Sequence, residues 1–257
     1  MLLCIDIGNT NILLGLYDGD ALGPHWRLAT VHERMPDEFA MQLLALFNHA
    51  GISPDQITGA AIASGVATLT GAWREVCRDY LHLEPLVVTG QMQTELRILY
   101  DSPSSVGADR IVDAVAAFRR YGGPLCIVDF GTATTFEAVT AAGEYLGGAI
   151  VPGINISADA LYQRATKLPK VDLERPPSAI GRNTTHAMQS GLLYGYASLV
   201  EGMVARFRAE LGHDTKVVGT GGLAPVIAEA TAVLDYIEPW LTLEGLKIIY
   251  ELNQVTG

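Results

Sequence analysis

CIDIGNTNILLGLYDG, residues 4–19, and IVDFGTATTFEAVTAAG, residues 127–143, are two versions of one pattern. Setting Asp6 on Asp129 also sets Gly8 on Gly131, Asn9 on Thr132 and Asn11 on Thr134. Each copy runs apolar, apolar, Asp, apolar, Gly, polar, any residue, polar, then an apolar run and a Gly turn. The offset is 123 residues, close to half of the 257-residue chain. Two similar domains in tandem therefore explain the sequence more economically than one large one.

Each copy predicts strand, tight turn, strand, turn, strand. In the first, Leu2 to Ile7 is an apolar strand, Gly8-Asn9 a turn and Ile12 to Tyr17 the return, with Asp18-Gly19 as the next hairpin turn. Gly8 admits a positive φ and a close backbone approach. In the second copy, Leu125 to Asp129 runs in, Gly131-Thr132 turns and Thr134 to Thr140 returns. Ala142-Gly143 then leads into Tyr145 to Ile150.

Helical signals follow each copy. Pro36-Asp37-Glu38 reads as a helix start, with acids near the positive end of the dipole, and Gly51 as its stop. Thr70 is the expected cap of a second helix bearing Trp73, Val76, Cys77 and Tyr80. A third helix is expected from Ala108 to Tyr121, and others near 156–166, 184–211 and 242–252. Short buried strands fit Ala60 to Ala63, Leu86 to Thr89 and Lys216 to Val218. Hairpins followed by alternating helices and strands indicate an α/β fold.

Composition narrows the function. Lys and Arg number 17 against 28 Asp and Glu, a formal charge of −11. Nucleic acid and anionic lipid are poor partners for such a chain, because binding them requires clustered cations. The three cysteines, Cys4, Cys77 and Cys126, sit among apolar residues without a CxxC and read as buried reduced thiols. The six histidines show no zinc spacing. Leu2 to Ile5 is too short and lacks the basic flank of a signal peptide, and no segment reads as a membrane span, so a cytoplasmic protein is expected.

Four motifs carry candidate chemistry. Asp6 to Asn11 offers a backbone turn, amides and hydroxyls to an oxyanion, with Asp6 placed to hold a hydrated Mg²⁺ beside it. Asp129 to Thr135 repeats the design with more hydroxyls. Gly219-Thr220-Gly221-Gly222 lets the chain approach a ligand closely at the start of a helix. It fails as a dinucleotide fingerprint because Ala224 stands where the last Gly is needed. Gly107-Ala108-Asp109-Arg110 opens a helix and pairs a carboxylate with an anion-binding guanidinium.

Taken together, in this order, these motifs resemble the acetate and sugar kinase, heat-shock ATPase and actin superfamily. More narrowly, the chain resembles the type III pantothenate kinases from end to end. DIGNTN (6–11), ILYD (98–101), VGADRIVDAVAAF (106–118), VDFGTATTF (128–136), YLGGAIVPGI (145–154), MQSGLLYGY (188–196), TGGLA (220–224) and LTLEGL (241–246) carry the resemblance.

The resemblance implies two tandem ribonuclease-H-like, actin-like ATPase domains with mixed sheets and a cleft between them. Their expected bounds are 1–121 and 122–257, with packing of the C-terminal helix back on the first domain left open. It implies transfer of a phosphoryl group from ATP to the primary hydroxyl of pantothenate, the first step towards coenzyme A. By position, Asp6, Ile7, Gly8, Asn9, Thr10, Asn11, Ile12 and Leu13 would meet the ATP phosphates and Mg²⁺, and Thr132 would also contact ATP. Tyr100, Gly107, Ala108, Asp109 and Arg110 would bind pantothenate, with Asp109 as general base.

Asp129 would hold a monovalent cation, K⁺ or NH₄⁺. Thr184 would touch pantothenate across the interface of a homodimer. Two other readings are a non-catalytic ATP-binding regulator of the same fold and a kinase for another small hydroxylated substrate. The chain departs from the family pattern at Ser64 to Thr68, which has no proline, and at Thr89 to Gln93.

Overall fold

The computed structural model describes residues 1–254, which divide into two compact units. The first comprises residues 1–116 with 241–254, the second Ala117–Trp240, so the division runs through a helix.

The first unit is built on three consecutive strands, β1 (Leu2–Ile7), β2 (Asn11–Asp18) and β3 (Ala21–Ala29). After α1 (Pro36–His49) comes β4 (Gly59–Ser64), and after α2 (Ala67–Leu81) comes β5 (Leu86–Val87). The sheet order is β3-β2-β1-β4-β5. β1 and β2 are antiparallel, as are β2 and β3, whereas β4 lies parallel to β1 and β5 parallel to β4. A short strand β6 (Arg97–Ile98) and a 3₁₀ turn (Pro103–Ser105) lead into α3 (Ala108–Tyr121).

Alternation along the strands divides the core. Leu3, Ile5 and Ile7 of β1 join Ile12, Leu14 and Leu16 of β2 in one cluster with Phe39, Leu43, Phe47, Trp73 and Val76 of α1 and α2. Phe39 and Trp73 pack with ring centroids 5.2 Å apart. Cys4 points to the opposite face and is also fully buried. That face is covered by α7 (Leu241–Gln254), the last helix, which packs on β1, β2 and β4. A strand covered on both sides must be apolar throughout, which explains the unbroken run at Leu2 to Ile5.

The second unit repeats this plan. β7 (Leu125–Phe130), β8 (Ala133–Val139) and β9 (Glu144–Pro152) form an antiparallel meander, followed by α4 (Ile154–Arg164) and α5 (Thr184–Leu211). β10 (Lys216–Thr220) then pairs parallel to β7, and after α6 (Ala224–Ala228) β11 (Tyr236–Ile237) pairs parallel to β10. Within its six-stranded sheet the run β9-β8-β7-β10-β11 matches β3-β2-β1-β4-β5 strand for strand. The repeat in sequence is thus a repeat of topology. Val128, Phe130 and Phe136 meet Leu192, Leu193, Val200 and Val204 of α5 in this unit's core.

Two local expectations are corrected. Thr70 does not cap α2. The helix begins at Ala67, and Ser64 Oγ accepts the Val66 N–H at 3.1 Å, which fixes the entry one turn earlier. The Thr70 hydroxyl instead donates to Val66 O at 3.3 Å, the backward bond of a threonine inside a helix. Gly8 does not use a positive φ, which is found at Gly19, Gly51, Gly143 and Gly221 among others. It is required for space, since a Cβ there would stand 2.9 Å from Asn11 O.

Candidate active site

The turn between β1 and β2 is tied from several sides. The Gly8 N–H donates to Asn11 O at 3.0 Å. Thr30, just past β3, donates its hydroxyl to Gly8 O at 2.7 Å and its N–H to Thr10 O at 3.0 Å. The Gly65 N–H donates to Ile7 O at 3.0 Å. Asn9, Thr10 and Asn11 remain exposed at the tip. Ile7 and Ile12 are fully buried, so what they can offer a ligand is main chain. Asp6 stands partly buried at the end of β1, opposite Leu13 of β2 and Ala63 of β4. Thr30 did not emerge from the sequence, because nothing local marks a threonine that closes a turn 22 residues away.

The start of α3 forms a second constellation in the same unit. Ile111 N–H donates to Gly107 O at 3.2 Å and opens the helix. The Asp109 carboxylate folds back over the main chain, with Oδ1 accepting the Arg110 N–H at 2.9 Å. A Cβ at Gly107 would overlap that same Oδ1, so glycine gives the carboxylate its place. The Arg110 guanidinium lies 6.0 Å from the ring centroid of Tyr100. An aromatic face attracts a guanidinium stacked on it and so helps to fix its direction. Tyr100, Gly107, Ala108, Asp109 and Arg110 are thus brought together, with Ala108 buried beneath them.

In the second unit Asp129 ends β7 beside the β7–β8 turn and the Gly221 turn that follows β10. Its Oδ2 lies 3.2 Å from where a Cβ on Gly131 would be. A Cβ on Gly221, whose φ is +86°, would overlap Oδ1. Two glycines thus form a cradle around one carboxylate. Thr132 O accepts the Gly153 N–H at 3.1 Å, fixing the turn against the start of α4. Thr184 is the exposed first residue of α5, whose cap Asn183 accepts the His186 N–H at 2.8 Å. It lines a groove of about 780 Å³ between α4 and α5, together with Leu161, Arg164, Met188 and Gly191.

The donor sets are simple. Among the described residues no group of three or more His, Cys, Asp or Glu could hold a metal. A single carboxylate such as Asp6 fits Mg²⁺ that keeps its waters and is carried in on phosphates. Asp129, enclosed by Gly131 and Gly221, is the residue that would hold a monovalent cation in the second unit. The thiols take no part. Burial pushes Cys77 and Cys126 up to about 12, and Cys4 is raised further still. Thiols so raised stay protonated near neutrality and are poor nucleophiles.

A profile of the family described as type III pantothenate kinase matches residues 2–206. The type III pantothenate kinase of Roseiflexus sp. (strain RS-1) is 55% identical over 254 residues, covering 99% of this chain and 100% of that protein. That of Myxococcus xanthus is 48% identical over 256 residues, covering 100% of both.

Among solved structures, a Baf family protein of Campylobacter jejuni superposes with a TM-score of 0.62 at 18% identity, covering 98% of this chain and 99% of that one. A ROK family glucokinase of Streptomyces griseus superposes with a TM-score of 0.50 at 12% identity, covering 98% and 99%. At such identities these likenesses speak for the fold alone.

Proposed function

The chain belongs to the type III pantothenate kinase family, and from that premise we propose a working assignment for the residues of its site. The activity is ATP-dependent phosphorylation of pantothenate, in coenzyme A biosynthesis. The observation that carries the assignment is the constellation at the start of α3. There Asp109 is held over Gly107, and Arg110 lies on Tyr100.

Phosphoryl transfer asks a protein chiefly to position two groups and neutralise charge. The assignment divides that work. Arg110 binds the pantothenate carboxylate through paired donors, which sets the substrate's far end. Asp109 accepts the proton of the primary hydroxyl as the oxygen attacks the terminal phosphorus of ATP and the bond from that phosphorus to the departing ADP breaks. The anchored turn at Gly8 to Asn11 presents main-chain and side-chain donors to the phosphates, and Thr132 makes a further contact to ATP. Asp6 would hold Mg²⁺, which supplies charge neutralisation on the phosphates. Asp129 would hold K⁺ or NH₄⁺ in its glycine cradle. Main chain and bound cations thus supply positive charge that a chain of net −11 lacks.

The assignment extends to a homodimer through the α4–α5 face, with Thr184 reaching the partner's pantothenate. Three features of this face support it. The groove is apolar in character, Leu161 and Tyr162 of α4 are 41% and 50% exposed, and Gly191 and Gly195 of α5 open outwards. A Cβ on either glycine would meet nothing within 4 Å, so these small residues do not serve packing inside the unit.

The direct test is release of ADP from ATP with pantothenate as acceptor, run beside a panel of sugars. Pantothenate alone is expected to support release and to yield a phosphorylated product. Release that is indifferent to pantothenate, or absent throughout, would overturn the assignment.

A further inference from the structure

Asn253, in the last turn of α7, makes three hydrogen bonds with one side chain. Its Oδ1 accepts the Gln93 N–H at 3.3 Å, and its Nδ2 donates to Gln93 O at 2.9 Å. Nδ2 also donates to Ile249 O at 2.8 Å, one turn back on its own helix. The amide therefore grips both polar groups of a residue 160 positions away in sequence, as a neighbouring strand would. The gripped residue belongs to the loop 89–93, between β5 and β6.

That segment in turn supports the start of α3. Gly90 packs so tightly on Pro103 that a Cβ would overlap the Pro103 carbonyl, and the same Cβ would lie 3.5 Å from Ile111 Cδ1. Pro103 O accepts the Val106 N–H at 3.3 Å and closes the turn immediately before Gly107. These contacts, joined by the chain between Gly90 and Gln93 and between Val106 and Gly107, lead from α7 through the 89–93 loop and the 103–106 turn to Gly107, Asp109 and Arg110. Every member lies in the first unit.

We propose that Asn253 is a positioning residue for the acceptor substrate, acting through Gln93, Gly90 and Pro103 to fix the turn that carries Asp109 and Arg110. This rests on the assignment of those two residues to pantothenate. Neither asparagine nor the loop is placed to touch ATP phosphates in that assignment, so the effect is confined to one substrate. Of the common side chains, only a carboxamide of this length both donates and accepts here. Aspartate keeps the acceptor but sets a negative charge against two carbonyl oxygens, and alanine keeps none of the three bonds.

The test is steady-state kinetics of full-length Asn253→Ala and Gly90→Ala, each beside Asp109→Asn. Loss of the two hydrogen bonds to Gln93 corresponds to about fivefold or more. The KM for pantothenate is therefore expected to rise by about that factor in Asn253→Ala, while the KM for ATP stays within about twofold. Hydrogen exchange in residues 102–110 is expected to quicken in the same variant. Equal changes in both KM values, or no change in either, would overturn the proposal.

Should Asn253→Ala fail to fold, Gly90→Ala carries the same comparison from the other end of the series. Full turnover in Asp109→Asn would instead overturn the underlying assignment, whatever Asn253 does. Loss of turnover there with an unaltered Asn253→Ala overturns the positioning role alone.

Discussion

At the scale of single residues, Asp109 is the most exacting position. Its carboxylate is held by one main-chain N–H, and the glycine two residues earlier leaves it room. Asp109→Asn keeps the size and the hydrogen-bond acceptor but cannot take a proton. Turnover is expected to fall at least about 10²-fold, the scale of lost general-base catalysis, with ATP binding by calorimetry unchanged. Wild-type turnover in that variant would remove Asp109 from the mechanism. The motif around it was legible in sequence because Gly-Ala-Asp-Arg is contiguous. The Thr30 hydroxyl on Gly8 O and the Asn253 amide on Gln93 were not. Both act across folded space on a main-chain atom, and main-chain partners leave no mark in side-chain chemistry.

At the scale of elements, the turns after β7 and β10 act as one device. The φ of +86° at Gly221 disfavours any side chain by roughly 1–2 kcal/mol, and a Cβ would also displace the Asp129 carboxylate. Gly221→Ala is therefore expected to lose stability and to lose any stimulation by K⁺ or NH₄⁺ over Na⁺. Chemical denaturation and a salt-exchange assay read the two effects separately. Full retention of K⁺ stimulation would refute a cation site at Asp129. Read as sequence, 219–224 was a weak Gly-rich loop beginning a helix. That helix, α6, is five residues long, and the significance of the loop is the carboxylate it encloses. The start of α1 was better signposted by Pro36-Asp37-Glu38, because Glu38 bonds to a main-chain atom three residues away. Thr70 was misleading for the converse reason: Ser64 had already satisfied the entry to α2.

At the scale of the whole molecule, a single topology occurs twice, and the proposed dimer would double it again. Leu161→Asp places a charge on the exposed apolar face of α4, where burial against a second copy would be costly. The variant is expected to run as a monomer in light scattering and to bind pantothenate more weakly. A stable dimer with unaltered kinetics would exclude this face. The sequence by itself determined the α/β class and the duplicated hairpins, and singled out the carboxylates Asp6, Asp109 and Asp129 as candidates, because period, turn chemistry and short motifs are local properties. Only the tertiary structure decided that α7 covers the first unit's sheet, that Gly131 and Gly221 enclose Asp129, and that Gly191 and Gly195 face outwards. Those facts depend on which distant segments share space, and burial selects among many such pairings without leaving a local trace.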